Sequence, residues 1–440
     1  MKGWLFIGIT LLSWYARSVK KPVEKRQETV IRINQLGYTP KGIKVAVWGA
    51  LIPYSISGFT IVETKTRKVV FKGNTGSAYG AYGPFKQTYR LDFSRFTDTG
   101  SFYIKAGTTR SPTFRIARDV YKGKADFALR YMRQQRSGYN PYLKDSCHTK
   151  DGFTLYATTA GLADSTKIDV VGGWHDASDY LQYSTTSANA TYHLLAAYRD
   201  FRDVFDDEKR ANGLDGKNGI ADVLDEAKWG LDWMLKMHPA PHLLFNQIAD
   251  DRDHAGMRMP AQDSLYGRGH ERPVYFIDGK PQQRGKFLNN TTGTSSTAAK
   301  FTSAFNVASL LFNQIDTSYA NLLRQKAASA YRFAKIKPGV TQTVSVKSPY
   351  IYAEENWVDD MELAAATQWL TTQKPKYQLE AMKYAKQEKI TPWLEKDTAS
   401  HYQWYPFINL GHYELAKKLT GKDREEITSY YHQGIDKVWA

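Results

Sequence analysis

Two closely spaced aspartates, Asp176 and Asp179, are the residues of this sequence best suited to acid–base chemistry. They lie in the run Gly-Gly-Trp-His-Asp-Ala-Ser-Asp-Tyr at residues 172–180. Two carboxylates three residues apart in a tight turn can face one small volume. Like charges held that close are costly unless a water, a metal or a cationic partner lies between them. Aspartate is also common at helix N-caps and in turns, so a purely structural role is the alternative.

A second acidic group lies in the long irregular segment 239–296, where Asp250, Asp251 and Asp253 precede His254. Carboxylates in this number could act as metal ligands, or they could belong to a solvated acidic loop. Irregular segments of this length are tolerated where they build a site. The segment is therefore a second candidate for function.

The composition is that of a folded protein of two or three domains. Of the 440 residues, 42% are hydrophobic and 24% are charged. The aromatic share is 14%, with 11 Trp and 29 Tyr, and such rings line carbohydrate clefts as well as cores and interfaces. The net charge of +16 suggests a nucleic-acid partner. We expect none, because Lys and Arg are scattered and no nucleic-acid-binding motif is present.

The N-terminus has the layout of a secretory signal. Lys2 precedes a short apolar stretch at 4–15, and Ala16-Arg17-Ser18 supplies small residues two apart. We therefore assign residues 1–18 to a signal peptide and 19–28 to a linker. This predicts a secreted or periplasmic protein.

The rest of the chain shows no apolar run of membrane length, so no membrane span is expected. Cys147 is the single cysteine, and no intrachain disulfide can form. An exported protein without disulfides depends on core burial, which a chain of this length can supply. We expect a monomer.

Two structural periods divide the chain. Residues 29–117 contain seven short alternating segments separated by turns with Gly, Pro or Asn, and this pattern predicts a β-sandwich. After Asp119 the period becomes 3.6 residues, which predicts an all-α domain over 119–440 with almost no strand. Nine helices are predicted, near 120–135, 186–201, 220–235, 297–313, 319–335, 355–371, 376–389, 403–419 and 423–439.

Three motifs together resemble glycoside hydrolase family 9, including the immunoglobulin-like domain that precedes the catalytic domain in many members. The first is Ile-Arg-Ile-Asn-Gln-Leu-Gly-Tyr at 31–38, which resembles the opening strand of that N-terminal domain. The second is the run at 172–180, similar to the family motif Gly-Gly-Trp-(Tyr/His)-Asp-Ala-Gly-Asp-Tyr. The third is the helix signature at 218–229 with Trp-Met-Leu-Lys-Met at 233–237.

The resemblance implies an (α/α)6 barrel of twelve helices and inverting hydrolysis of β-1,4-glucosidic bonds in cellulose or related glucans. By this resemblance Asp179 is the general base and Asp176 its helper, fixing the same water. Trp174, Tyr180 and His254 would contact the substrate. Ser178 stands where the family usually has Gly, at a cost of about 1 kcal/mol if that position needs a positive φ.

The general acid is not found by the same comparison. The family supplies it from a Glu near the end of the barrel, within an Asp-x-x-x-Asn-Glu type motif preceded by His-x-Arg. None of Glu354, Glu355, Glu362 and Glu414 has that context. Nine helices are predicted where the family barrel has twelve, which likewise indicates that the last part of the barrel is missing. We therefore expect a C-terminally truncated family member, with about nine of twelve helices and without its acid.

Two metal sites follow from the resemblance alone. Cys147-His148 matches a pair that binds structural zinc in some members, but those members have Cys where this chain has Ser137. With His175 the chain offers three ligands at most, and a closed zinc site needs four. This favours a buried thiol beside a surface histidine.

Asp359 and Asp360 match acids that hold calcium in some members, and helix capping is the alternative role. No cofactor is required by the expected reaction.

Three functions stay open at this point. The first is endo-acting β-1,4-glucan hydrolysis, the second an exo-acting relative such as a glucosaminidase, and the third a non-catalytic glycan-binding protein. All three share a β-glucan or related oligosaccharide as partner.

Overall fold

The computed structural model describes residues 28–177, 179–266, 271–347, 351–390 and 410–439. The expected signal peptide at 1–18, nearly all of the expected linker and Ser178 lie outside the described residues. The chain divides into two compact units between Tyr121 and Lys122.

The first unit is a β-sandwich. Its strands are β1 (Thr29–Arg32), β2 (Val45–Ala50), β3 (Gly58–Glu63), β4 (Val69–Asn74), β5 (Gly80–Tyr82), β6 (Phe85–Asp92), β7 (Gly100–Ala106), β8 (Thr109–Arg110) and β9 (Phe114–Ile116). One sheet has the order β1-β2-β6-β5, and the other has β4-β3-β7-β8 with β9 also paired to β7.

Alternating apolar side chains of the two sheets form one core. Trp48 and Leu91 come from the first sheet, and Ile61 and Ile104 from the second; all four are fully buried. The sandwich is as predicted, but it has nine strands where the sequence indicated seven. The two additional strands, β5 and β8, are two or three residues long, too short for an alternating pattern to be recognised.

The second unit contains nine α-helices among its described residues. They are α1 (Lys124–Gln134), α2 (Ser184–Asp200), α3 (Asp222–Met237), α4 (Ser295–Phe312), α5 (Thr317–Ala334), α6 (Val358–Thr372), α7 (Pro375–Glu388), α8 (Leu410–Lys418) and α9 (Gly421–Trp439). Each lies within a few residues of a predicted helix, and residues 403–409 of the eighth prediction lie outside the described residues. The predicted fold class, a sandwich followed by a helical domain, is confirmed.

The helices pack as antiparallel pairs in two layers. In α4 every residue except Leu310 is buried, whereas the neighbouring α5 is buried on one face. The same contrast separates α6 from α7. A helix buried on all sides belongs to an inner layer, and an amphipathic one covers it from outside. The inner helices therefore carry small and polar residues that the apolar period alone would place at a surface.

Short strands occur in the loops of this unit, which corrects the expectation of almost no strand after residue 119. They are β10 (Gly138–Asn140), β11 (Asp145–Cys147), β12 (Phe153–Leu155), β13 (Gln182–Tyr183), β14 (Phe245–Ile248), β15 (Pro273–Phe276), β16 (Gln283–Arg284) and β17 (Phe287–Leu288). Four of them form a sheet with the order β12-β15-β14-β13. The paired strands of this sheet come from distant parts of the sequence, so no local sequence pattern predicts the pairing. No helix among the described residues is long and apolar enough to cross a membrane.

Candidate active site

The turn that carries both aspartates is fixed by the chain on either side of it. The His175 N–H donates to the Gln135 carbonyl just after α1 (2.8 Å), and the Asp176 N–H donates to the Leu181 carbonyl (2.8 Å). Gly173 has φ +71°. A Cβ atom on it would come within 2.7 Å of the Trp233 ring on α3. The turn therefore needs glycine there, and it holds Asp176 in front of the N-terminus of α2.

Both carboxylate oxygens of Asp176 accept hydrogen bonds from protein hydroxyls. The Thr186 hydroxyl, in the first turn of α2, donates to Oδ1 at 2.9 Å, and the Tyr352 hydroxyl donates to Oδ2. Burial raises the pKa of Asp176, and the hydrogen bonds from Tyr352 and Thr186 act in the opposite direction. These bonds fix the orientation of the carboxylate and favour its ionised form.

Asp179 has different surroundings. Its Oδ2 lies 3.0 Å from Nε2 of His254. Its Oδ1 is buried and receives no hydrogen bond from any described protein group. Burial raises the pKa of Asp179, the charge of His254 lowers it, and the charge of Asp176 raises it again. A carboxylate with one free oxygen and an elevated proton affinity is suited to take a proton from a water.

His254 is brought to Asp179 by a 3-10 helix at Asp251–Asp253. The Asp250 side chain caps this helix by accepting from the Arg252 N–H, and it also forms a two-point ion pair with the Arg252 guanidinium (2.6 and 2.7 Å). The Tyr180 N–H donates to Oδ2 of Asp253 at 2.7 Å. The acidic segment is therefore held by protein groups, and within the described residues it forms no cluster suited to a metal.

Trp174 and Tyr180, predicted to contact substrate, are both buried. The Trp174 side chain is 4% exposed, and its indole N–H donates to Oε1 of Glu226 at 2.8 Å. Glu226 is in turn paired with Arg136 at 2.7 Å. The Tyr180 hydroxyl donates to the Arg258 carbonyl, and its ring packs against two histidines. Trp174 also lines a cavity beside Asp176. Direct contact with a sugar stays a prediction for both side chains.

A cavity of about 330 Å³ opens beside Asp176. Its walls come from α1, from Trp174 and His175 on the aspartate turn, from the first turns of α2 and from Tyr352, and Tyr131 on α1 gives it an exposed aromatic edge. Among the described residues that line it, Asp176 is the one carboxylic acid. The cavity can therefore hold a small ligand against Asp176, and the described residues of its walls supply no second carboxylic acid.

The structure brings Cys147, His148 and His175 together, with one ligand atom of each within 4.8 Å of the others. His148 is 1% exposed, which corrects the expectation of a surface histidine. Its Nε2 lies 3.0 Å from Oδ2 of Asp263, so the ring is oriented as a metal-bound histidine often is. Three ligands remain one short of a closed zinc site, and Ser137 stands buried where a fourth is expected.

Asp359 and Asp360 lie in the first turn of helix α6, and Asp360 belongs to a buried group of charges. Oδ2 of Asp360 pairs with the Lys300 ammonium at 2.6 Å, and Lys300 also pairs with Glu354 at 2.8 Å. Burial raises the pKa of Asp359 to about 6. The Lys300 ammonium thus already supplies a cation to Asp360 and Glu354. Calcium binding here stays a prediction.

Two protein-family models match the two units of this chain. The family model for glycosyl hydrolase family 9 matches residues 121–439, and the model for the cellulase N-terminal ig-like domain matches residues 26–111.

The chain belongs to glycosyl hydrolase family 9.

Within this family, it is 28% identical over 421 residues to endoglucanase D of Acetivibrio thermocellus, covering 92% of this chain and 61% of that protein. It is 28% identical over 390 residues to a xyloglucan-specific endo-beta-1,4-glucanase of Bacteroides ovatus, covering 82% and 61%. A metagenome-derived family 9 endoglucanase of known structure superposes with a TM-score of 0.67 at 26% identity, covering 93% of this chain and 72% of the other. The family 9 chain thus spans about three fifths of the length of these two curated relatives.

Sequence reasoning identified the aspartates and His254 but missed Tyr352 and Thr186. Tyr352 lies 176 positions from the aspartate it bonds. Its backbone N–H donates to the Thr343 hydroxyl, and its ring packs edge-on against Tyr183 at 4.7 Å between centroids. A lone tyrosine in an irregular segment carries no local signal. Thr186 could have been suspected from its place in the first turn of the helix that follows the motif.

Proposed function

We propose that this family 9 chain provides the general base for inverting hydrolysis of β-1,4-glucosidic bonds. In this proposal Asp179 is the general base and Asp176 is its helper. The observation that supports this is the difference between the two carboxylates. Asp176 is fixed by two hydroxyl donors, whereas Asp179 keeps one buried oxygen free. A water bound between them would be oriented by Asp176 and lose its proton to Asp179.

The substrate class in this proposal is a β-1,4-linked glucan. The relatives named above are an endoglucanase and a xyloglucan-specific endo-beta-1,4-glucanase, and their names support this choice. The open, mostly aromatic and aliphatic cavity beside Asp176 is of a kind that accepts a sugar ring. We also propose export through residues 1–18 and a monomeric state.

A substrate with an activated leaving group tests the base separately from the acid. Departure of 2,4-dinitrophenolate needs no protonation, so hydrolysis of 2,4-dinitrophenyl β-cellobioside requires only a base and a positioned water. We expect the chain to release dinitrophenol and to form the α-anomer of cellobiose first, as seen by proton NMR. Asp179→Asn is expected to lower the rate by about a hundredfold or more.

The alternatives predict other outcomes. Equal rates for the wild type and Asp179→Asn would remove the base assignment. Binding of cello-oligosaccharides without any dinitrophenol release would favour the non-catalytic glycan-binding protein, which the lack of a second acid in the cavity wall also favours. Release from an aryl glucosaminide in place of the cellobioside would favour the exo-acting relative.

A further inference from the structure

A second cavity, of about 300 Å³, lies in the loop region of the helical unit and is not used by the proposed reaction. We call it the cationic cavity. It is lined by two aromatic rings, one leucine and three cations: Phe153, Tyr266, Leu265, Arg252, Arg284 and Lys347. Three cations around one cavity repel one another unless a carboxylate or a bound anion balances their charge.

The charges in the cationic cavity are only partly balanced by the protein. Arg252 is neutralised by its two-point ion pair with Asp250. Arg284 and Lys347 have no carboxylate within ion-pair distance among residues 28–177, 179–266, 271–347, 351–390 and 410–439. Arg284 instead donates to the Tyr275 hydroxyl at 3.3 Å. The nearby Asp251 is buried, and its carboxylate accepts from the backbone N–H groups of residues 346 and 347.

The aromatic residues give the cationic cavity a second property. The Arg252 guanidinium lies 5.2 Å from the centre of the Tyr266 ring, which holds that ring in place. Phe153, on the edge strand β12, is half-buried and forms another wall. A fixed aromatic ring beside free cations suits a sugar that carries a negative charge, since the ring takes the sugar face and a guanidinium takes the carboxylate.

One sheet connects this cavity with the proposed base. Asp179 precedes β13, Phe153 lies on β12, and these are the two edges of the sheet β12-β15-β14-β13. Three strand spacings separate the edges by roughly 14 Å. Arg252 also directly precedes Asp253, which accepts the Tyr180 N–H. The proposed base and the cationic cavity thus lie at opposite edges of one small sheet, a separation on the order of a few sugar units.

We propose that the cationic cavity binds an acidic sugar, a uronic acid with its free carboxylate, within a β-linked glucan chain. This inference rests on the proposed glucan function and adds a substrate class to it. The net charge of +16 is consistent with an anionic polysaccharide, which it would attract at low salt.

Titration calorimetry of the Asp179→Asn protein tests the proposal without turnover. The ligands are cello-oligosaccharides of one length in two forms, unmodified and partly oxidised at C6 to carboxylates. We expect the oxidised form to bind about tenfold more tightly at low salt, as two charge-assisted contacts would give. Adding Arg284→Gln and Lys347→Gln is expected to remove this preference and to leave the affinity for the unmodified form unchanged.

A charge-matched control uses Lys376→Gln with Lys383→Gln, two exposed lysines on α7. This pair is expected to keep the preference. Equal affinities of the two ligands for the starting protein, or an equal loss in the control pair, would overturn the inference. Failure of dinitrophenyl cellobioside hydrolysis by the wild type would count against the proposed reaction alone, because the titrations need no catalysis.

Discussion

Asp176 and Asp179 share a turn, yet the protein groups around their carboxylate oxygens differ. Donors on α2 and on a distant loop hold both oxygens of Asp176, whereas Asp179 pairs with His254 through Oδ2 and its Oδ1 receives no hydrogen bond from a described group. Hydrogen bonds to a carboxylate stabilise its ionised form, so those on Asp176 oppose the effect of burial. The roles proposed for the two acids follow from this difference and not from their spacing.

Tyr352→Phe tests the orientation of Asp176. The ring and its packing against Tyr183 are kept, but the hydroxyl donor is lost, so the pKa of Asp176 is expected to rise further. Activity is lost as Asp176 becomes protonated, and the acidic limb of the pH profile should therefore move to higher pH. With dinitrophenyl cellobioside, we expect kcat near neutral pH to fall about tenfold.

Tyr131→Phe is the matched control, because Tyr131 lines the same cavity and Asp176 accepts no hydrogen bond from it among those described. It is expected to leave the acidic limb in place. A Tyr352→Phe profile that overlays the wild-type profile would remove Tyr352 as a positioning residue.

At the scale of elements, α6, α7 and α8 meet around buried acids. Nδ1 of His412 on α8 lies 2.5 Å from Oε1 of Glu362 on α6, and its Nε2–H donates to the Lys389 carbonyl after α7. Burial lowers the pKa of His412, but Glu362 and the hydrogen bonds outweigh it and the net shift is upward. Burial and the charge of Asp359 raise the pKa of Glu388 on α7 to about 8.

Folding raises the pKa of both His412 and Glu388. A group whose pKa is raised on folding stabilises the protein below its unfolded pKa, and that stability is lost as pH rises through the folded value. For Glu388 the window runs from its ordinary value of 4.5 to about 8. The contact of α6, α7 and α8 is therefore expected to weaken as pH rises across neutrality.

Glu388→Gln should reduce this pH dependence. We expect wild type and variant to have similar melting temperatures at pH 4.5, and the variant to melt several degrees higher at pH 9, measured by differential scanning calorimetry. Glu425→Gln, an exposed glutamate on α9, serves as the control and should follow the wild type. Parallel curves for Glu388→Gln and wild type would contradict a buried, raised carboxyl at this position.

At the scale of the whole molecule, each unit has its own apolar core. The larger core extends from α2 through α9 and includes residues of every helix in that range. Close packing of this kind makes one deleted side chain costly, because the neighbours close the space only in part. The stability of the helical unit therefore depends on shape as well as on apolar composition.

Leu231 on α3 is fully buried in this core and offers a direct test. Leu231→Ala is expected to lower the free energy of unfolding by about 2–5 kcal/mol, and the volume-conserving Leu231→Met by less than about 1.5 kcal/mol. Urea denaturation followed by far-UV circular dichroism measures both. Equal effects of the two substitutions would mean that the site is loosely packed.

The sequence by itself determined the order of the two units, the positions of nine helices and the motif with Asp176 and Asp179. Each of these is local information, because a period of 2 or 3.6 residues and a motif nine residues long are complete within a short stretch of chain. Features that depend on distant parts of the chain could not be predicted in this way. Short strands such as β12 and β15 pair residues more than a hundred positions apart, and three or four residues are too few for an alternating pattern to be recognised.

Only the tertiary structure decided what surrounds each acid. It placed the Tyr352 hydroxyl on Asp176, paired Lys300 with Asp360, buried His148 and gathered Arg284 and Lys347 at one cavity. The pKa of a carboxyl and its chemical role depend on burial and on neighbours within a few ångströms. Those neighbours come from distant parts of the chain, so the spacing of two aspartates can indicate a site but cannot assign a base.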